Sequence, residues 1–151
     1  MRKLTMNRTK MLLAATMLCG SASLQAAPGC SLASLSGNYG FTITGQILTG
    51  PSAGLVAGVA LTTYDGRGGL TQVDHVLHNG QIPADEWRSA TGSYTLSSNC
   101  TGTMQLIFSD GSPTMNLHIM VDQFVGQIRT VVDGAVAITS IGAWQGTVWG
   151  F

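Results

Sequence analysis

Positive charge is scarce in this chain, and most of it sits at one end. The 151 residues hold 7 Lys+Arg against 7 Asp+Glu. Arg2, Lys3, Arg8 and Lys10 account for four of the basic residues. Beyond Lys10 there is no lysine, and only Arg67, Arg88 and Arg129 remain. All seven acids lie in that later part: Asp65, Asp74, Asp85, Glu86, Asp110, Asp122 and Asp133. Without the N-terminal stretch, three basic residues face seven acidic ones, a net charge of −4. A surface with no basic patch cannot neutralise many phosphates, so nucleic acid is excluded as a partner and anionic lipid surfaces are disfavoured. Long hydrophobic runs are absent as well. The apolar stretch Met11–Leu18 is far short of the ~20 residues that span a bilayer. No segment has the periodicity of a long amphipathic helix, and there is no low-complexity tract.

The short N-terminal stretch carries the three parts of a secretory signal. The early basic residues form its charged region, Met11–Leu18 its apolar region, and small residues follow. Cleavage after Ala22 or Ala26 satisfies the small-residue rule, so residues 1–26 are expected to be a signal peptide and residues 27–151 the mature domain. The protein is then expected to be exported to the periplasm or the medium. Cys19 does not create a lipoprotein signal, because Thr16-Met17-Leu18 lacks the small residues that lipidation needs next to the cysteine.

Cysteine is also scarce, with three in the chain. Cys19 leaves with the leader, and Cys30 and Cys100 remain. An even pair in an oxidising compartment reads as one disulfide. Two cysteines with no histidine nearby make a poor zinc site. Asn99-Cys100-Thr101 matches the N-glycosylation pattern, but its central cysteine is the one expected to be bonded.

About 125 residues suffice for one domain with a single core. They read as eight short alternating runs separated by Gly, Asn, Asp and Pro: 39–47, 54–64, 69–78, 90–96, 101–108, 114–121, 125–132 and 135–143. Asp65-Gly66-Arg67-Gly68 supplies a tight turn between the second and third runs, since glycine accepts positive φ without steric cost. Turn spacing this regular predicts an antiparallel meander. Eight strands suit a closed up-and-down barrel, which removes exposed edges; a two-sheet sandwich is the competing architecture. The alternation predicts a core containing Tyr39, Phe41, Ile43, Leu106, Phe108, Leu117, Ile119 and Val131.

Several of these segments carry a resemblance. Ser36-Gly37-Asn38-Tyr39-Gly40-Phe41, Thr63-Tyr64-Asp65-Gly66-Arg67-Gly68, Gly92-Ser93-Tyr94-Thr95, Asn99-Cys100-Thr101-Gly102-Thr103 and Gln127-Ile128-Arg129 look like those of a group of small exported bacterial proteins. That group in turn resembles the allene-oxide-cyclase-like barrels of the calycin type. The resemblance implies an eight-stranded barrel with a lumen. No catalytic residue of the plant cyclases matches a position here, so the activity does not carry over, and function has to be argued from a site.

No catalytic motif is present. No serine lies in a G-x-S-x-G elbow, and Gly66-Arg67-Gly68-Gly69 opens no helix that could hold a phosphate. Asp74 and His78 share a strand face that His75 does not, so the three cannot converge on one metal. A zinc site built from His78, His118 and an acid is weaker than the reading of scattered histidines. No metal and no cofactor are therefore expected. Arg129 draws attention because it lies inside an apolar run, where a charge needs water or a partner. If it faces a lumen, Asp122 or Glu86 should pair with it, with Asp74 a further candidate and His118 nearby. Arg67 lies in a hairpin turn and Arg88 at a loop's edge.

The leading expectation is an exported soluble barrel, non-enzymatic, binding a small apolar or carboxylate-bearing ligand through Arg129, Asp122, His118 and Glu86. A cyclase- or isomerase-type enzyme using the lumen is the first alternative. A small outer-membrane barrel is the second, prompted by the terminal Trp149-Gly150-Phe151. Oligomeric state is not readable from these residues.

Overall fold

The structure, a computed structural model, describes residues 29–122 and 126–146. The expected signal peptide, Cys19 and the C-terminal Trp149-Gly150-Phe151 lie outside the described residues. After a short 3-10 turn, η1 (Leu32–Ser34), the chain forms eight strands. They are β1 (Ser36–Ile47), β2 (Gly54–Asp65), β3 (Gly69–His78), β4 (Arg88–Leu96), β5 (Thr101–Phe108), β6 (Met115–Asp122), β7 (Gln127–Val132) and β8 (Val136–Gly146). Each strand pairs antiparallel with the next, and β8 returns to β1, so the sheet closes as an up-and-down barrel. The sandwich alternative is thereby excluded. Closure leaves no strand edge open to another chain.

Pairing follows hydrophobic alternation, because a one-residue slip would turn a strand's apolar set outward. On β6, Leu117, Ile119 and Val121 are buried while Asn116, His118 and Met120 are exposed. On β7 the buried residues are Ile128 and Thr130. Val131, expected in the core, is 45% exposed on the outside. The reason is parity: Ile128 takes the inward position, so Arg129 and Val131 must both face out. Seven of the eight expected core residues are buried or half-buried.

The two ends of the barrel differ. At one end lie the 66–68 turn, the 97–100 turn and the start of β1. Here Tyr39, Tyr64 and Tyr94 meet in successive edge-to-face contacts, with ring centroids 5.5 and 5.2 Å apart. Such pairs add about 0.5–1.5 kcal/mol beyond their buried area. The segment around η1 caps this end. Leu35 is fully buried, and the Tyr94 hydroxyl lies 2.9 and 3.0 Å from the carbonyls of Leu32 and Leu35, which accept its proton. Cys30 is disulfide-bonded to Cys100, and its N–H donates to the Ser98 carbonyl. The turn between β2 and β3 is held by the Asp65 carboxylate, which accepts from the N–H groups of Arg67 and Gly69, and by positive φ at Gly66 and Gly68. The opposite end, bounded by the 48–53, 79–87, 109–114 and 133–135 connections, carries no such cap among the described residues.

Candidate functional site: a lumen open at one end

The half of the lumen away from the tyrosines is not filled. A cavity of about 70 Å³ lies among Phe41, Ile43, Val56, Leu106, Phe108 and Met115, with Leu117, Val132 and Ile138 completing its apolar wall. At roughly 10–15 Å³ per water, that is room for about five waters or a small organic body. Side-chain sizes set this space. Gly142 faces inward, and a Cβ there would come within 2.5 Å of the Phe41 ring. That glycine lets the Phe41 ring approach β8 closely.

One side of the cavity is polar. On β3 the inward residues are Leu70, Gln72, Asp74 and Val76, so an amide and a carboxylate stand where an apolar strand face is the rule. Antiparallel register sets Asp74 directly opposite Arg88, the first residue of β4. The pair is bidentate: Arg88 Nε donates to Asp74 Oδ1 at 3.0 Å, and Nη2 donates to Oδ2 at 3.1 Å. Asp74 is 3% exposed and Arg88 25%. The guanidinium also stacks 3.8 Å from the centre of the Phe108 ring, a favourable placement for a cation on an aromatic face. Gln72 Nε2 donates to Asp74 Oδ2 at 3.1 Å, and the buried Thr62 hydroxyl donates to Gln72 Oε1 at 2.9 Å. On the opposite wall the Thr130 and Ser140 hydroxyls bond to one another at 2.7 Å. His78 follows Val76 on the same face of β3, and its Nε2 is buried with no hydrogen-bond partner among the described residues.

The residues expected from sequence to bind a ligand are not brought together around this cavity. Arg129 is exposed on the outer face of β7, opposite Met120 and Ile141. His118 is exposed on the outer face of β6, where its Nδ1 lies 2.8 Å from Asp133 Oδ1. Asp122 ends β6 at the tyrosine end, opposite Gln127. Glu86 is exposed in the 79–87 connection, and its backbone carbonyl contacts His75 Nδ1. None of the four lines the cavity. His78 and His118 lie on opposite faces of the barrel wall, so they form no shared site. Among the described residues there is no group of three or more His, Cys, Asp or Glu placed to hold a metal.

In the sequence Arg88 reads as a loop-edge residue, because it adjoins the loop containing Pro83. Strand parity held the signal: stepping back by two from Tyr94 through Gly92 and Ala90 puts Arg88 on the inward face. Its partner needed the register of β3 against β4, which no local pattern specifies. No protein-family model matches the chain, and neither does any curated protein or solved structure.

Proposed function

We propose that this chain is an exported, soluble carrier barrel that holds a small, mostly apolar molecule in the open half of its lumen. The observation behind this reading is the cavity itself: an apolar wall with a few convergent polar groups at one side is the usual form of a small-molecule site. A barrel built for structure alone would fill its interior with side chains. The resemblance to allene-oxide-cyclase-like barrels supports the same reading, and the leader-like residues 1–26 and the Cys30–Cys100 bond favour export.

An aqueous setting is favoured over a membrane one by the distribution of polarity. Spanning barrels are apolar outside and polar within. Here most of the cavity wall is apolar, and the outer faces of β4, β5 and β6 present Thr91, Ser93, Thr95, Thr103, Gln105 and Asn116 beside exposed Ile107 and Met120, while Leu55, Val59, Leu61, Val131 and Ile141 are exposed on β2, β7 and β8. Among the described residues, no helix is long and apolar enough to cross a membrane. The one carboxylate in the cavity wall, Asp74, is occupied by Arg88 and Gln72, which accounts for it without chemistry on a substrate.

The test is competition for a fluorescent apolar probe by the purified mature protein and by Leu106→Trp, which fills the cavity. Probe uptake by the wild type, lost in Leu106→Trp with the fold intact by circular dichroism, is the expected result. Equal uptake by both proteins would move the binding surface outside the lumen and end this reading.

A further inference from the structure

The chemistry at the mouth of the cavity is specific enough to name a ligand class. We infer that the lumen selects a neutral molecule, with an apolar body and a carbonyl-type acceptor directed at Arg88, and discriminates against a carboxylate of the same size. This rests on the lumen-binding reading and narrows it.

The first ground is donor bookkeeping. Arg88 spends Nε and Nη2 on Asp74. Its Nη1 makes no hydrogen bond among the described residues; the nearest acid oxygen, Asp110 Oδ2, is 3.8 Å away, beyond hydrogen-bond reach. Donors left over in a mostly apolar cavity gain from an incoming acceptor. Phe108 covers one face of the guanidinium, so an acceptor meets it edge-on. The other polar groups in the cavity wall are engaged with each other, Thr62 with Gln72, Gln72 with Asp74, and Thr130 with Ser140, while His78 Nε2, unpartnered among the described residues, lies outside that wall.

The second ground is charge, and it is independent of the first. Among the described residues, Arg88 is the only lysine or arginine at the open end. Asp74 neutralises it, and Asp110 leaves that local trio at −1. The connections at this end add Asp85 and Glu86, both exposed, with no lysine or arginine among them, while the Asp133 carboxylate lies against His118 on the outer face. An excess of one sign around a low-dielectric cleft repels ligands of that sign and slows their entry. A free arginine in an apolar lumen would invite a carboxylate; this arginine is already matched and has three further acids, Asp110, Asp85 and Glu86, at the same end. A neutral carbonyl takes the same donor without meeting that field.

The experiment compares four probes of equal non-hydrogen atom count, small enough for the cavity, by NMR titration: methyl propanoate, butanoate, pentylamine and hexane. Methyl propanoate should bind most tightly, with butanoate about tenfold weaker at low salt, about 1.4 kcal/mol. Added salt should narrow that gap, since the outer acids are solvent-exposed. Asp110→Asn should raise butanoate affinity severalfold and leave the ester unchanged. Arg88→Met alone strands a buried Asp74, so the Asp74→Leu/Arg88→Met double variant, which swaps the ion pair for apolar groups, tests the donor. It should bind hexane and ester equally. Butanoate matching or exceeding the ester overturns the inference while leaving lumen binding in place, as does pentylamine ranking first. An ester preference that survives in the double variant also overturns it. If no probe perturbs any cavity residue, the lumen-binding reading falls and this one with it.

Discussion

The two ends of the barrel are made from the same eight strands and have opposite solutions to the problem of filling a cylinder. At the tyrosine end three rings and Leu35 occupy the lumen, a short N-terminal segment lies across it, and a disulfide fixes that segment. At the other end the inward residues, Phe41 and Phe108 among them, leave a cavity, and a buried ion pair sits in its wall. Buried ion pairs add little to stability when apolar residues could replace them. Stability is therefore concentrated at the capped end, and on the proposed lumen-binding function recognition falls to the open one.

The sharpest way to break this comparison is to remove the central ring. Tyr64→Ala takes away the tyrosine that contacts both of the others and should cost about 3–5 kcal/mol in urea unfolding. Met115→Ala, at the half-exposed rim of the cavity, should cost under about 2 kcal/mol by the same measurement. Equal losses would mean that the two ends carry the fold equally.

The disulfide comes next. It closes a separation of 70 residues, and the chain-entropy model gives about 4 kcal/mol for such a loop. Reduction should lower the melting temperature. In hydrogen exchange, the loss should first appear around Leu35 and Tyr94, with Ala90 and Phe108 protected longer. Uniform loss around the barrel would refute a local clamp.

A smaller effect is expected in alkali. Burial pushes the Tyr64 hydroxyl far above its ordinary pKa, reinforced by Tyr39 and Tyr94, and desolvation also raises the other two. The unfolded chain ionises its tyrosines near pH 10 while the folded one keeps Tyr64 neutral. Stability is thus unaffected below about pH 10 and falls above it, by up to about 1.4 kcal/mol per pH unit for Tyr64. Absorbance at the tyrosinate band should show its ionisation coinciding with unfolding. Free titration of all three in the folded state would contradict the packed end.

The smallest effect concerns Asp65. The N–H groups of Arg67 and Gly69 hold its carboxyl below the usual carboxylate range. Its contribution is present above the unfolded carboxylate pKa and is lost as pH falls through the lower folded value. Asp65→Asn should therefore flatten the acid limb of the stability profile slightly. An unchanged limb would remove the turn from the account.

Local signals determined much of this molecule. Alternation and turn residues fixed eight strands, because a half-buried strand must repeat with period two and positive-φ turn positions favour glycine, with Asn79 and Cys100 the exceptions among the described residues. Strands β3 and β5 have the ends the pattern predicts; β1, β2 and β4 extend beyond their runs, and β6, β7 and β8 start one or two residues later than theirs. Two cysteines in an exported-looking chain were enough to anticipate their bond. Tertiary structure alone decided the rest. Which parity of β7 faces inward depended on its neighbours, and that choice sent Arg129 and Val131 to the surface. The cap over the tyrosine end needed Leu32 and Leu35 to meet Tyr94, some 60 residues away. The candidate site needed register: Asp74 and Arg88 are each unremarkable in the chain, and become a buried bidentate pair only because β3 and β4 align them across the sheet. Periodicity is a property of neighbours in sequence, whereas a cavity is what remains after eight strands have filled the space between them.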